Sequence, residues 1–93
     1  MYKLVQYCHF TRLELCTRFY TTQQLSQHLC VSVGALRYTT AHKNGDFSQH
    51  VPNARVFQVS PSAVPAGALV DDQGIPYILH SRVNEQAALQ KAD

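Results

Sequence analysis

The side chains of this chain that most readily suggest chemistry are its cysteines and histidines. The set of soft ligands comprises Cys8, His9, Cys16, His28, Cys30 and His50. Four of them in a tetrahedron would suffice to bind zinc. Their spacing is irregular and contains no C-x-x-C pair, so the sequence predicts no metal site. We expect reduced thiols, most of them buried as small apolar residues.

Two further arrangements of reactive residues are weak. A nucleophilic pair of His28 and Cys30 would need a hydrogen bond between the two side chains, but residues two apart on a helix point in different directions. The carboxylates of Asp71 and Asp72 precede Gln-Gly, which is typical of a solvated turn rather than of a cation site. We therefore expect no enzyme activity, no cofactor and no small-molecule substrate.

The composition is that of one small globular domain. The chain has 93 residues, of which 45% are hydrophobic and 15% are charged. It has no run of about 18 apolar residues, as a membrane span requires, and its first residues lack the apolar segment of a secretory signal. These observations predict a cytoplasmic protein without a membrane partner.

Charge is unevenly distributed along the chain. Residues 1–55 contain six basic and two acidic residues, a net charge of +4, whereas residues 56–93 contain two basic and four acidic residues, a net charge of −2. A polyanion responds to the local field rather than to the overall charge of +2. The first part of the chain is therefore the better candidate for contact with nucleic acid, although chance unevenness in so short a chain remains the alternative.

Hydrophobic spacing predicts a strand over residues 2–7 and three helical segments after it. In the stretch 10–19, Phe10, Leu13 and Cys16 recur at intervals close to one helical turn, which favours a helix. Thr21 and Gln24 then have the spacing of a capping box and predict the start of a second helix.

The third helical segment begins after Ser32. This serine is placed to cap a helix that runs to about His42, and Asn44 or Gly45 can adopt the left-handed conformation that ends it. From residue 46 onward, four prolines and alternating apolar residues favour strands and loops. A four-residue turn, 71–74, is predicted between two short strands, and a last helix over 82–91.

The stretch Thr22–Ala41, TQQLSQHLCVSVGALRYTTA, resembles the helix-turn-helix of prokaryotic regulators. Ser26 supplies the small residue where the helices cross, Cys30 replaces the usual glycine of the turn, and Thr39 stands where a branched aliphatic residue is commoner. Residues 31–38 are similar to the start of the recognition helix in MerR-type regulators and in excisionase and Cox-like phage proteins.

The resemblance implies a single α+β domain over 1–93. Its architecture would be a small winged helix-turn-helix domain with three N-terminal helical segments, a short antiparallel β-hairpin or sheet and a C-terminal helix. The helix-turn-helix would occupy 21–43, the wing and strand-rich part 46–80, and the C-terminal helix and tail 81–93. A wing within residues 47–60 would present Arg55 to DNA.

The resemblance also implies a function, which is sequence-specific binding of duplex DNA by a small regulator of a mobile element. Such a protein would act as a transcriptional repressor or activator, or as an excisionase-like directionality factor, and would bind as a homodimer or cooperative oligomer. Arg37 would contact a base, Val33 a thymine methyl group, and Gly34 would allow close approach. Phosphates would be contacted by Tyr38, His42 and Lys43 and by Thr21, Thr22 and Gln23, and Arg55 would reach the DNA backbone or the minor groove. The implied DNA-binding residues are Thr21, Thr22, Gln23, Ser32, Val33, Gly34, Arg37, Tyr38, Ala41, His42, Lys43 and Arg55.

One alternative function remains open at this point. The same helices can instead form the interaction face of a non-enzymatic adaptor or inhibitor encoded by a phage or gene cassette. The low overall charge of +2 favours this alternative.

Overall fold

A computed structural model of the chain describes residues 1–80, so the predicted C-terminal helix and tail lie outside the described residues. The elements are β1 (Tyr2–Tyr7), β2 (Glu14–Tyr20), α1 (Thr22–Leu29), α2 (Val33–His42), β3 (Ala54–Gln58), β4 (Leu69–Val70) and β5 (Pro76–Leu79), with a 3₁₀ turn at Pro61–Ala63.

All five strands belong to one antiparallel sheet, in the order β3-β1-β2-β5-β4. β1 and β2 form a hairpin, after which α1 and α2 connect β2 to β3 on the other side of β1. The segment after β3 returns to the opposite edge of the sheet, where the β4–β5 hairpin places β5 beside β2. The helix pair is thus an insertion between two strands that both flank β1.

The helix pair covers the face of the sheet that Leu4, Tyr20 and Val56 share. Leu25 of α1 and Leu36 of α2 are both 0% exposed within this core. Complete burial of one leucine side chain contributes roughly 1.5–3 kcal/mol. The two leucines therefore fix how each helix is rotated about its axis, and with it which side chains of α2 point outward.

The predicted fold class is wrong. Residues 10–19 do not form the first of three N-terminal helices, and the described part of the chain contains two α-helices and a five-stranded antiparallel sheet. Residues 47–60 do not form a wing either, because β3 pairs directly with β1 and forms one edge of the sheet. The winged helix-turn-helix architecture is therefore replaced by a helix pair packed on a larger sheet.

The error over 10–19 has a physical reason. Phe19 and Tyr20 are consecutive in β2 and are each 4% exposed, so both faces of the end of this strand are covered. A strand that is buried on both faces lacks the alternation of apolar and polar residues that marks a half-buried strand. The remaining apolar residues of the segment happened to match a helical repeat.

Several local predictions are confirmed. Asn44 and Gly45 both have positive φ angles, of 54° and 67°, at the end of α2. Residues 71–74 form the turn between β4 and β5. The glycine is required at position 45, because an added Cβ would lie 1.9 Å from the carbonyl oxygen of Val56.

Candidate nucleic-acid interface

The turn between α1 and α2 is fixed by Ser26 and Cys30. Cys30 adopts the left-handed conformation, with φ 56° and ψ 42°, that glycine usually supplies at such a turn. The N–H of Val31 donates to the carbonyl oxygen of Ser26 at 3.1 Å, and the Ser26 hydroxyl donates to the carbonyl oxygen of Val31 at 2.5 Å. Ser26 therefore joins the two helices through its backbone and its side chain.

Ser32 caps the start of α2, as the sequence predicted. Its side-chain oxygen accepts a hydrogen bond from the N–H of Ala35 at 3.0 Å. The N–H groups of Val33 and Gly34 make no hydrogen bond to other described residues. The first turn of α2 contains no acidic residue, so these free donors and the helix dipole leave it electropositive.

The outward face of α2 lies opposite the buried Leu36. It consists of six exposed residues, namely Gly34, Ala35, Arg37, Tyr38, Ala41 and His42. Three of these have no side chain beyond Cβ, so a flat surface can approach the helix closely. Tyr38 is 56% exposed, and its ring lies 4.9 Å from the ring of His42. Arg37 is thus the one side chain on this face that combines full charge with long reach.

The start of α1 offers backbone donors as well. Thr21 and Gln24 form the predicted capping box, in which the Thr21 hydroxyl oxygen accepts from the Gln24 N–H at 3.2 Å and the Gln24 side chain accepts from the Thr21 N–H at 3.0 Å. The N–H groups of Thr22 and Gln23 are left without partners among the described residues. Thr21, Thr22 and Gln23 were predicted to contact phosphate here. Thr21 already uses both its N–H and its hydroxyl oxygen in the capping box.

Electrostatics distinguish the helix pair from the rest of the described chain. Residues 21–43 contain Arg37 and Lys43 but no aspartate or glutamate. Neither cation forms an ion pair within residues 1–80. Arg18, by contrast, lies 3.2 Å from the Asp71 carboxylate and 5.4 Å from the centre of the Tyr77 ring. The helix pair thus keeps its positive charge available to an external anion.

The predicted DNA-binding residues do not all lie together. Those in α2 share its outward face, except that Ser32 caps the helix, Val33 is half-buried and Lys43 follows the last turn. Arg55 belongs to β3, where its neighbours Ala54 and Val56 face the helices. Because side chains alternate along a strand, Arg55 points to the other face of the sheet, away from the outward face of α2.

Sequence reasoning missed two residues. Ala35 belongs to the outward face of α2, and the helical period of about 100° per residue would have placed it beside Tyr38 and His42. Arg12 lies in the loop before β2 and lines a groove with Arg55. No local signal indicates that contact, because it depends on the pairing of β1 with β3.

The cysteines differ from the prediction. Cys30 is exposed, and Cys8 and Cys16 are half-buried, so none of the three is a fully buried thiol. Hydrogen bonding to the Thr11 side chain lowers the pKa of Cys8. Over residues 1–80, no three metal-ligating side chains come together.

His80 forms a small polar cluster with two residues of β2. Its Nε2 atom lies 3.0 Å from the buried Thr17 hydroxyl and 3.6 Å from the Glu14 carboxylate. A catalytic relay needs the carboxylate on one ring nitrogen and the nucleophile on the other. Since both groups here approach the same nitrogen, the cluster stabilises the pairing of β2 with β5 rather than activating the threonine.

Among residues 1–80, no helix has the length and apolar content needed to cross a membrane. Comparisons with protein-family models, with curated proteins and with solved structures gave no match.

Proposed function

We propose that the protein binds duplex DNA by placing the outward face of α2 in the major groove. The observation that supports this most strongly is the combination of an unpaired Arg37 with Gly34, Ala35 and Ala41 on one exposed helix face, in a segment without acidic residues. An α-helix with its side chains is about 10–12 Å wide, and the major groove is about 12 Å wide. Small side chains allow the helix backbone to approach the base edges.

In this proposal, Arg37 contacts a guanine. Its planar guanidinium group matches the two acceptors on the guanine edge, and such a contact contributes about 1–3 kcal/mol of discrimination against other bases. The anchoring of Leu36 in the core holds the helix in the orientation that presents Arg37. Tyr38, His42 and Lys43 are suited to phosphates on either side of the groove.

The start of α1 would supply a further phosphate contact. The free N–H groups of Thr22 and Gln23 point out of the first turn of a helix that has no acidic residue there. In helix-turn-helix proteins the first helix crosses the DNA backbone while the second lies in the groove. A regulator or directionality factor of a mobile element is the class of protein that this arrangement suits.

A single helix with one base-contacting arginine gives modest affinity, so we propose that two copies bind together. The β4–β5 edge, which we define as Leu69, Val70 and Leu79, offers a surface for the second copy. These side chains are 53%, 63% and 44% exposed. The outer side of β4 has no strand paired to it among the described residues.

The test combines selection of DNA sequences with a matched pair of variants. Randomised duplexes are selected on the wild type, and the binding constant for the selected duplex is measured with wild type, Arg37→Ala and Arg37→Lys. We expect Arg37→Ala to lose about 5- to 150-fold in preference for the selected base pair. Arg37→Lys should retain the salt dependence but lose the preference, because lysine keeps the charge without the planar fork.

Lys3→Ala is the control for a loss of charge elsewhere, since Lys3 lies over the Phe57 ring on the sheet face away from the helices. Its sequence preference should equal that of the wild type. Selection that yields no preferred duplex, together with binding that is insensitive to Arg37, would rule the proposal out.

A second candidate function is protein binding as an adaptor or inhibitor, and the exposed apolar side chains of the β4–β5 edge favour it. Replacing Leu69 and Leu79 together by serine distinguishes the two. An adaptor loses its protein partner in this double variant, while a DNA-binding protein retains its contacts along α2 and loses only what the second copy adds.

A further inference from the structure

The groove that Arg12 and Arg55 line lies beyond the C-terminal end of α2, at the edge of the sheet. It has a volume of about 490 Å³, and its lining contains two arginines. The lining residues are Tyr7, Arg12, Asp46, Ser48, Asn53, Ala54 and Arg55. We call it the arginine groove.

Two backbone positions of the arginine groove are unusual. Arg12 and Asn53 have φ angles of 61° and 55°, which makes them two of the four non-glycine residues with positive φ in the described chain. The Arg12 N–H donates to the Cys8 carbonyl at 2.9 Å, and the Asn53 carbonyl accepts from the Tyr7 N–H at 2.9 Å. These bonds hold the two strained residues in place at the groove, and strained backbone of this kind is concentrated at binding sites.

The charge of the arginine groove suits an anion with one negative charge. Neither Arg12 nor Arg55 forms an ion pair with any residue in the described range. Asp46 is the acidic residue of the lining. Hydrogen bonds from the side chain and the backbone N–H of Ser48 lower its pKa, and nearby Arg55 lowers it further. Two guanidinium groups and one carboxylate leave a net charge of +1, which a phosphodiester would neutralise.

The arginine groove is continuous with the end of α2. Asp46 and Ser48 also line a neighbouring cleft of about 310 Å³ that includes Thr39 and Lys43. Backbone contacts join this segment to β3: the Val56 N–H donates to the Gly45 carbonyl at 2.8 Å, and Asp46 pairs with Arg55 as an isolated bridge. The groove and the cleft are joined through Asp46 and Ser48, which line both, while the Arg55 side chain itself lies on the sheet face away from the outward face of α2.

We propose that the arginine groove binds a phosphodiester of the DNA where the duplex extends past the C-terminal end of α2, with Arg12 and Arg55 on either side of the phosphate. This inference rests on the proposed function, and it extends the DNA contact beyond the helix pair. Tyr7 and Asn53 supply uncharged hydrogen-bond donors for the remaining phosphate oxygens. The arginine groove also gives Arg55 a contact with DNA, although Arg55 does not lie on the outward face of α2.

The test measures how binding of a random-sequence duplex depends on salt. The logarithm of the binding constant falls with the logarithm of salt concentration by about 0.9 per neutralised phosphate. The double variant Arg12→Gln with Arg55→Gln should therefore have a slope smaller by about 0.9 than that of the wild type. Its sequence preference on the selected duplex should be unchanged, because a phosphate contact is not specific for a base.

Lys3→Gln is the matched control, because Lys3 lies on the same face of the sheet as Arg55 but does not line the arginine groove. Its slope should equal that of the wild type. An equal decrease in slope for Lys3→Gln, or no decrease for the double variant, would overturn the assignment while leaving the proposed function intact. A wild type that does not bind duplex DNA would overturn both.

A separate titration with inorganic phosphate identifies the source of the anion. Side-chain guanidinium resonances of Arg12 and Arg55 are followed by NMR, with chloride as the reference anion. A weak response to phosphate with a clear response to the duplex supports the proposal. Saturable binding of free phosphate in the wild type, with no change of DNA slope in the double variant, assigns the groove to a free anion and overturns it.

Discussion

The outward face of α2 and the β4–β5 edge are both exposed, but they offer opposite chemistry. The face of α2 combines small residues with Arg37, whose charge is unpaired within the described chain. The β4–β5 edge exposes Leu69, Val70 and Leu79, and Arg18 on the adjacent strand β2 is neutralised by Asp71. Exposure alone therefore does not identify a nucleic-acid surface. The availability of the cations separates the surface suited to DNA from the surface suited to protein.

The two regions should differ most in how their leucines contribute to stability. Leu36 is on the buried side of α2 and is 0% exposed. Leu36→Ala should therefore lower the unfolding free energy of the protein by about 2–5 kcal/mol. Leu79→Ala at the edge should change it by about 0.5 kcal/mol or less, because this side chain is 44% exposed. Urea denaturation followed by circular dichroism measures both. Equal losses of unfolding free energy for Leu36→Ala and Leu79→Ala would contradict the exposure of the Leu79 side chain.

The next largest effect on stability is expected from a substitution at the end of α2. Gly45→Ala should destabilise the protein by about 2 kcal/mol or more, because it combines a positive φ with a contact of 1.9 Å between the new Cβ and the Val56 carbonyl oxygen. Gly67, beside the β4–β5 edge, has nothing within 4 Å of an added Cβ and no positive φ. Gly67→Ala should therefore leave the midpoint of urea unfolding nearly unchanged. A tolerated Gly45→Ala would contradict the described connection between α2 and β3.

A smaller effect concerns pH. Burial raises the pKa of Tyr20, beneath the helix pair, above its usual value of 10.0. The neutral phenol is favoured in the folded state, so its contribution to stability is fully present below pH 10 and is lost as the pH rises through the raised pKa. Unfolding free energy should fall less steeply above about pH 10 in Tyr20→Phe than in the wild type. Identical pH profiles would show that Tyr20 is not desolvated.

The features that the sequence could predict are those decided within a few residues. Thr21 and Ser32 cap their helices because the cap depends on side chains and N–H groups three positions apart. The turn at 71–74 is equally local. The residues that α2 presents were implied by the resemblance, and the helical repeat would have added Ala35 to them.

What the sequence could not predict depends on strand pairing. Residues 10–19 were mistaken for a helix because Phe19 and Tyr20 at the end of β2 are both covered by partners elsewhere in the chain, and because the exposed Phe10 and Leu13 before β2 matched a helical repeat. Arg55 was assigned to a wing because its direction is fixed only when β3 is registered against β1. The meeting of Arg12 and Arg55 in one groove follows from the same register, and no spacing within the sequence indicates it.

The most direct test of the comparison is a titration of the isotopically labelled protein with the selected duplex, followed by backbone amide NMR shifts. We expect the largest shifts at Gly34, Arg37 and Ala41 on the outward face of α2. The amides of Leu69 and Leu79 should shift little at protein concentrations where a single copy binds. Shifts that concentrate at the β4–β5 edge while α2 remains unperturbed would contradict the assignment of α2 as the DNA-binding surface.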